Sequence, residues 1–305
     1  MNLSHLSSSE LARALAGPGL SLRTGQFTTR IQTRIPAAVE GIGTLYADHP
    51  LAPEGSFSDF HVRLLRPAGL RRWYHPQVLF AFDDFIPFKP LPYDHAFPML
   101  EWGLNWCVTS HAHWYLILHA AVVEKNGFAA ILPAPPGSGK STLCAALVNR
   151  GWRLLSDELT LINPHSGRID ALARPVSLKN TSIDIIRSFA PDAVFGPLAQ
   201  DTAKGTVAHM KPSADSVARA HEPATPRWVI FPKYVPDSPP LLTPHPKGHA
   251  LIQFAENAFN YSVLGTLGYD ALARLIAQSD CFDFTYSRLD DAIATFADLA
   301  APHAI

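Results

Sequence analysis

The chain carries almost no net charge: 25 Lys and Arg stand against 26 Asp and Glu, a formal balance of -1. That balance excludes a chain-wide basic footprint for nucleic acid or anionic membrane. Charged residues of either sign are scarce, at 17%, against roughly 25% in a typical soluble domain. Cysteine is limited to Cys107, Cys144 and Cys281. Three distant thiols make neither a CxxC metal site nor a disulfide framework, so buried free thiols are expected. The opening MNLSHLSSSELARALAGPG lacks the basic and apolar stretches of a secretory signal. The longest apolar run, Trp114 to Val123, is interrupted by His119 and is too short to cross a bilayer. No internal repeat or low-complexity tail is present. These absences predict a cytoplasmic protein that binds neither membrane nor nucleic acid.

Apolar residues are plentiful, at 47% of 305, enough for the core of one large domain or two modest ones. With 27 prolines, long helices are disfavoured and a helical bundle is not expected. Ser7-x-x-Glu10 forms a capping box for a short helix that Gly17-Pro18 ends. Up to residue 100 the pattern is short strands and loops with one or two helices, an N-terminal α+β region without a chemical motif. Residues 182–189 fit a helix. Eight prolines between 222 and 246 surround a strand at 227–231 and predict extended loops and edge strands. The remainder reads as helices over 250–265, 269–278 and 289–299.

Chemistry concentrates between 114 and 180. Residues 134–142 read APPGSGKST. Gly137 and Gly139 permit the backbone bend of a phosphate-binding loop, with Pro136, Ser138 and Thr142 completing its wall. Lys140 is placed to contact the β- and γ-phosphates of ATP. The Ser141 hydroxyl is placed to hold Mg²⁺, and the helix N-terminus adds its positive dipole end. Ala134 replaces the first glycine of the strict pattern. The context is a strand over 128–133, the loop, then a helix over 141–150 with Leu143, Ala146 and Leu147 on one face.

Residues 153–162, RLLSDELTLI, read as a strand interrupted by Asp157 and Glu158. A helix over 140–150 descends about 16 Å, and a strand from Trp152 to Asp157 climbs back about 17 Å. In a βαβ crossover the two acids therefore return to the level of the loop. Phosphoryl transfer needs one carboxylate there for the acceptor hydroxyl and another for the metal. Asn126-Gly127 signals a two-residue hairpin. Its register sets His119 opposite Ala134, so His119 is either a satisfied core residue or the edge of the nucleotide site. With a pKa near 7 it would report pH.

His119, the loop at 134–141 and the Asp157-Glu158 pair resemble the arrangement in HPr kinase/phosphorylase. LEWGLNWC (100–107), LILHAAVVE (116–124), RGWRLLSDEL (150–159), RPVSLKN (174–180), DTAKGTVAHM (201–210) and AFNY (258–261) are similar to the group called HprK-related kinase A. The resemblance implies an α/β fold: a mixed-sheet P-loop kinase core over 101–305, like the HPr kinase C-terminal domain and phosphoenolpyruvate carboxykinase, beside the 1–100 region. It implies transfer of the ATP γ-phosphate to a serine or other hydroxyl of a protein or peptide. Asp157 matches the catalytic acid/base, and Glu158 stands where a second Asp binds metal in the parent family. Lys204-Gly205 corresponds to an Arg-Gly, making Lys204 a catalytic candidate. Arg174 and Lys179 are candidates for phosphate or substrate contact, with solvated surface as the alternative for all three cations. The resemblance also implies a PqqD-like peptide-binding protein as partner and leaves a homo-oligomer open. A P-loop ATPase with water as acceptor, or a nucleotide sensor without turnover, are the alternative functions.

Overall fold

The computed structural model describes residues 1–69, 74–135 and 137–301. The capping box forms as expected: Ser7 N–H donates to the Glu10 carboxylate at 2.8 Å and starts helix α1 (Ser8–Ala16). Strands β1 (Leu20–Thr24) and β2 (Phe27–Thr33), helix α2 (Pro36–Leu45), and strands β3 (Phe60–Leu65), β4 (Gln77–Phe82) and β5 (Leu91–Pro92) follow. The five strands make one sheet in chain order. Helix α3 (Ala96–His111) runs across residue 100. The core it belongs to joins Phe27, Phe80 and Leu104 to Ile117, Leu159, Leu161 and Leu172.

The second half begins with β6 (Leu116–Lys125), β7 (Phe128–Pro133), α4 (Lys140–Val148), β8 (Arg153–Ser156), β9 (Leu159–Ile162) and β10 (Ile169–Asp170). Next come β11 (Val176–Lys179), α5 (Thr181–Phe189), β12 (Ala199–Thr202), β13 (Gly205–Met210) and α6 (Ala214–Ala218). The chain closes with β14 (Thr225–Tyr234), β15 (Leu241–Pro244), α7 (Lys247–Glu256), α8 (Tyr261–Leu264), α9 (Thr266–Gln278), β16 (Asp280–Tyr286) and α10 (Leu289–Ala300). The large sheet runs β10-β9-β6-β7-β14-β16-β15, with β8 also paired to β6. Strands β7, β14 and β16 are parallel, and the other pairs are antiparallel. The fold is thus mixed α/β. A separate three-stranded sheet orders β11-β13-β12. No helix among the described residues is long and apolar enough to cross a membrane.

Period-2 alternation in β6 decides which side chains meet which layer. Leu116, Leu118, Ala120 and Val122 face the core containing α7 and α9. Ala121 and Val123 face the core containing α4, α5 and α10. His119 shares their parity and so stands on the α4 side. Asn126 and Gly127 take positive φ values of 55° and 85°, as a two-residue hairpin requires. The ladder runs from Lys125–Phe128 to Ala120–Pro133, in the predicted register. Where β7 then departs into the glycine loop, residues 257–260 take its place beside β6. His119 N–H donates to the Asn257 carbonyl, and the buried Asn260 side chain bonds Ile117 N–H and the Tyr115 carbonyl. That gives the AFNY segment a structural role.

Three expectations for the second half need correction. The proline-rich stretch does not make only loops and edge strands: β14 is interior, flanked by β7 and β16. Its prolines are tolerated because the β7 ladder shifts register after Pro226, and Pro232 lies beyond the last β7 partner, at Val229. The C-terminal part is not all helical. Segment 280–286, DCFDFTY, forms parallel strand β16 between two helices, and the helix expected over 250–265 is broken into α7 and α8. Helix α4 also departs from the one-faced reading, since Leu143 to Val148 are all buried between the sheet, α5 and α10. The three cysteines are free and buried.

Candidate active site

The glycine loop follows β7 at the carboxyl end of the parallel strands. Gly137 and Gly139 have φ near +87° and +90°, the left-handed region the sequence reserved for glycine. Ala134 does not take a positive φ, so the missing first glycine leaves no strained residue. Two tyrosines at the ends of neighbouring strands hold the loop. Tyr234 N–H donates to the Ser138 carbonyl at 3.0 Å, and the Tyr286 hydroxyl donates to the Gly139 carbonyl at 3.2 Å. A Cβ on Gly139 would lie 2.6 Å from that hydroxyl. Gly139→Ala is therefore expected to lose about 1–2 kcal/mol of stability from the left-handed φ alone. Adding Tyr286→Phe relieves the collision but not the dihedral. Thermal melts of the single and double variants check this.

Loop, Lys140, Ser141, Thr142 and Glu158 line a groove of about 1430 Å³ that continues along α5. Pro136 lies outside the described residues. Lys140 is buried and donates to Nε2 of His119 at 3.4 Å. The Thr142 hydroxyl is instead taken up by Ser182, at 2.9 Å. Burial pulls the Lys140 pKa down, while Asp157 and Glu158 oppose the fall. Burial, then the Lys140 charge, lowers His119 to about 4. His119 is thus a neutral acceptor beside Lys140 across the physiological range, and the pH-reporting role expected for it near 7 does not hold.

The acids sit at a break in one continuous edge. β8 and β9 both pair with β6, and the register is unchanged across Asp157 and Glu158. The break frees both carboxylates from the ladder without displacing β9. Asp157 Oδ2 accepts Ser177 N–H at 3.1 Å, while its buried Oδ1 has no hydrogen-bond partner among the described residues. Burial raises Asp157 to about 6, against the pull of Lys140. The Ser141 hydroxyl also acts on this carboxyl to lower its pKa. For Glu158 burial acts the same way, but Lys179, Lys140 and Arg174 prevail and its pKa falls. Adjacent acids driven in opposite directions are the arrangement that separates a proton acceptor from a permanent anion.

Beyond the acids lies a second cavity, of about 180 Å³. Ser156, Asp157 and Glu158 form one wall, β11 to β13 another, and α3 the third. Lys204 borders both cavities at an exposed turn. Asn180 clamps that turn, donating to the Lys204 carbonyl and accepting Thr206 N–H. Thus RPVSLKN and DTAKGTVAHM are sheet neighbours at the site. Asn105 on α3 donates to Glu158 and accepts from Arg174, which is buried. Glu101, one turn earlier, takes the Tyr46 hydroxyl; burial raises its pKa while Arg174 opposes. Sequence reasoning missed Glu101, Asn105, His209, Tyr234 and Tyr286. Polar residues four apart in the apolar stretch EWGLNWC were the available signal for the first two.

No family model and no curated protein matches this chain. Among solved structures, the Hpr(Ser) kinase/phosphatase from Coxiella burnetii aligns with 60% of this chain and 96% of its own, at 12% identity and a TM-score of 0.26.

The residues fit a magnesium-bound triphosphate. Mg²⁺ commonly takes one or two carboxylates and completes its shell with phosphates and water. Glu158 offers an ionised carboxylate, Ser141 a hydroxyl, and Asp157 an unpartnered buried oxygen beside them. No cluster of three or more potential ligands exists among the described residues.

Proposed function

We propose that the protein is an ATP-dependent phosphotransferase that moves the γ-phosphate to an alcohol, as its resemblance to HPr kinase/phosphorylase implies. One arrangement carries the reading: Lys140 in a glycine loop stands with two adjacent acids, Asp157 buried and Glu158 half-buried, whose surroundings push their pKa values apart. Loop amides and Lys140 hold the phosphates. Magnesium, bound with Ser141 and Glu158, would neutralise charge on the β- and γ-oxygens. Asp157 takes the acceptor proton as the oxygen attacks phosphorus, and neutral His119 keeps the Lys140 ammonium aimed. Lys204 at the shared rim offsets charge on the transferring group. A serine of a protein or peptide, delivered with a PqqD-like partner, is the acceptor the resemblance implies.

The test is transfer of label from γ-³²P ATP to an acceptor pool, with free phosphate measured in parallel. Lys140→Ala is expected to abolish ATP binding and label transfer together. Free phosphate without a labelled acceptor would favour an ATPase, and bound ATP without ADP a sensor.

A further inference from the structure

The second cavity says what kind of alcohol reaches Asp157. Its volume of about 180 Å³ is only slightly above that of an engineered cavity that holds benzene, about 150 Å³. Six of its lining residues, Leu91, His95, Pro98, Glu101, Trp102 and Asn105, come from the N-terminal half of the chain. That half is anchored around the cavity. His95 bonds the Gln200 carbonyl at 2.6 Å, His49 bonds the Ala173 carbonyl at 2.8 Å, and Lys211 pairs with Asp48 at 2.7 Å. A folded protein offering a surface serine would meet this wall before it met Asp157.

The lining also carries unsatisfied polarity. Arg174 Nε and His209 Nδ1 are buried without hydrogen-bond partners among the described residues, on side chains of residues only 8% and 3% exposed. A buried donor left unpaired is costly unless something completes it. Arg174, Lys179 and Lys204 all line this cavity. Of the three acids there, Glu101 is engaged by Tyr46 and Glu158 by Asn105. The third, Asp157, is the base that faces the hydroxyl.

We infer that the acceptor is a small alcohol bearing its own carboxylate or phosphate, bound with the anion on Arg174 and the hydroxyl at Asp157. This rests on the phosphotransfer reading and replaces the protein serine as acceptor. The new bond joins acceptor oxygen to the γ-phosphorus. The bond from that phosphorus to the β,γ-bridging oxygen breaks, ADP leaves, and the hydroxyl proton passes to Asp157 and then to water.

The full-length protein is incubated with γ-³²P ATP and two pools from a cell extract, the small-molecule ultrafiltrate and the retained proteins. Defined probes run beside them: D-glycerate, L-serine and glycerol phosphate, against glycerol and serinamide, which lack the anionic group, and a serine peptide blocked at both ends. Label is expected in an anionic small molecule. Among the probes, alcohols bearing a carboxylate or phosphate should exceed their counterparts without one by about tenfold or more, the range of a charged hydrogen bond. Preference for the carboxylate or the phosphate probe tells which anion is read. Arg174→Lys keeps the charge beside Glu101 but loses the planar fork, and should raise KM for the anionic alcohol about tenfold with KM for ATP near wild type. Should that variant misfold, Trp102→Glu at the exposed rim is expected to weaken anionic acceptors selectively. Label confined to proteins or the blocked peptide overturns the inference and leaves the phosphotransferase standing. ADP without label in either pool, or no ADP at all, defeats the phosphotransferase itself.

Discussion

Asp157→Asn is expected to keep ATP affinity and to lose label transfer by about 10²–10⁴-fold, the usual worth of a general base. The amide preserves shape and can still accept Ser177 N–H, so the loss isolates proton transfer. In the wild type the rate should rise through about pH 6, where Asp157 ionises, and then level off. The same residue should cost stability. An acid whose folded pKa lies above its ordinary 3.8 penalises the fold once the unfolded chain ionises. The penalty is absent below about pH 4, grows as pH rises, and is complete above about pH 6. Asp157→Asn should therefore melt above wild type at neutral pH and match it in acid. Rapid-quench transfer, nucleotide titration and melts at both pH values check this, and wild-type transfer by the variant would sink the assignment.

Glu124→Ala should be the most destabilising substitution away from the site, by about 3–5 kcal/mol. Glu124 on β6 and Arg153 on β8 form a buried ion pair, with Arg219 Nη2 at 3.5 Å from the same carboxylate. Arg153 also donates to the carbonyls of Arg219 and Glu222, at 2.6 and 2.9 Å. Removing the carboxylate strands a guanidinium in the interior. The double variant Glu124→Leu/Arg153→Met removes both charges and should recover much of the loss. Urea denaturation measures it, and a single-variant change within about 0.5 kcal/mol, the scale of an ordinary surface substitution, would show that the pair is not buried in solution.

What the sequence made legible was local or periodic. The Asn126-Gly127 turn fixed a register because left-handed residues close such a hairpin, and that register aimed His119 at Ala134 at the start of the glycine loop; the ladder itself ends one pair short, at Ala120–Pro133, and His119 N–H bonds the Asn257 carbonyl instead. The acids were legible because charge inside an apolar strand demands a partner. Strand β16 was not, since DCFDFTY lies between helical patterns and carries no turn signal of its own. The tyrosines that brace the loop were hidden for a related reason: Tyr234 and Tyr286 lie about 100 and 150 residues downstream of it, and only the parallel pairing of β7, β14 and β16 assembles them. The wall provided by α3 was likewise a product of tertiary packing.

The uninterrupted register across Asp157 and Glu158 limits how this edge can vary. Two residues bridge from β8 to β9, and Leu159 and Leu161 then point into the N-terminal core while Ile162 points into the other. One residue gained or lost there would turn β9 inside out, driving Thr160 toward the leucines' place. Exchanging one acid for another at these positions leaves the register intact, whereas inserting or deleting one residue between β8 and β9 is expected to cost the strand.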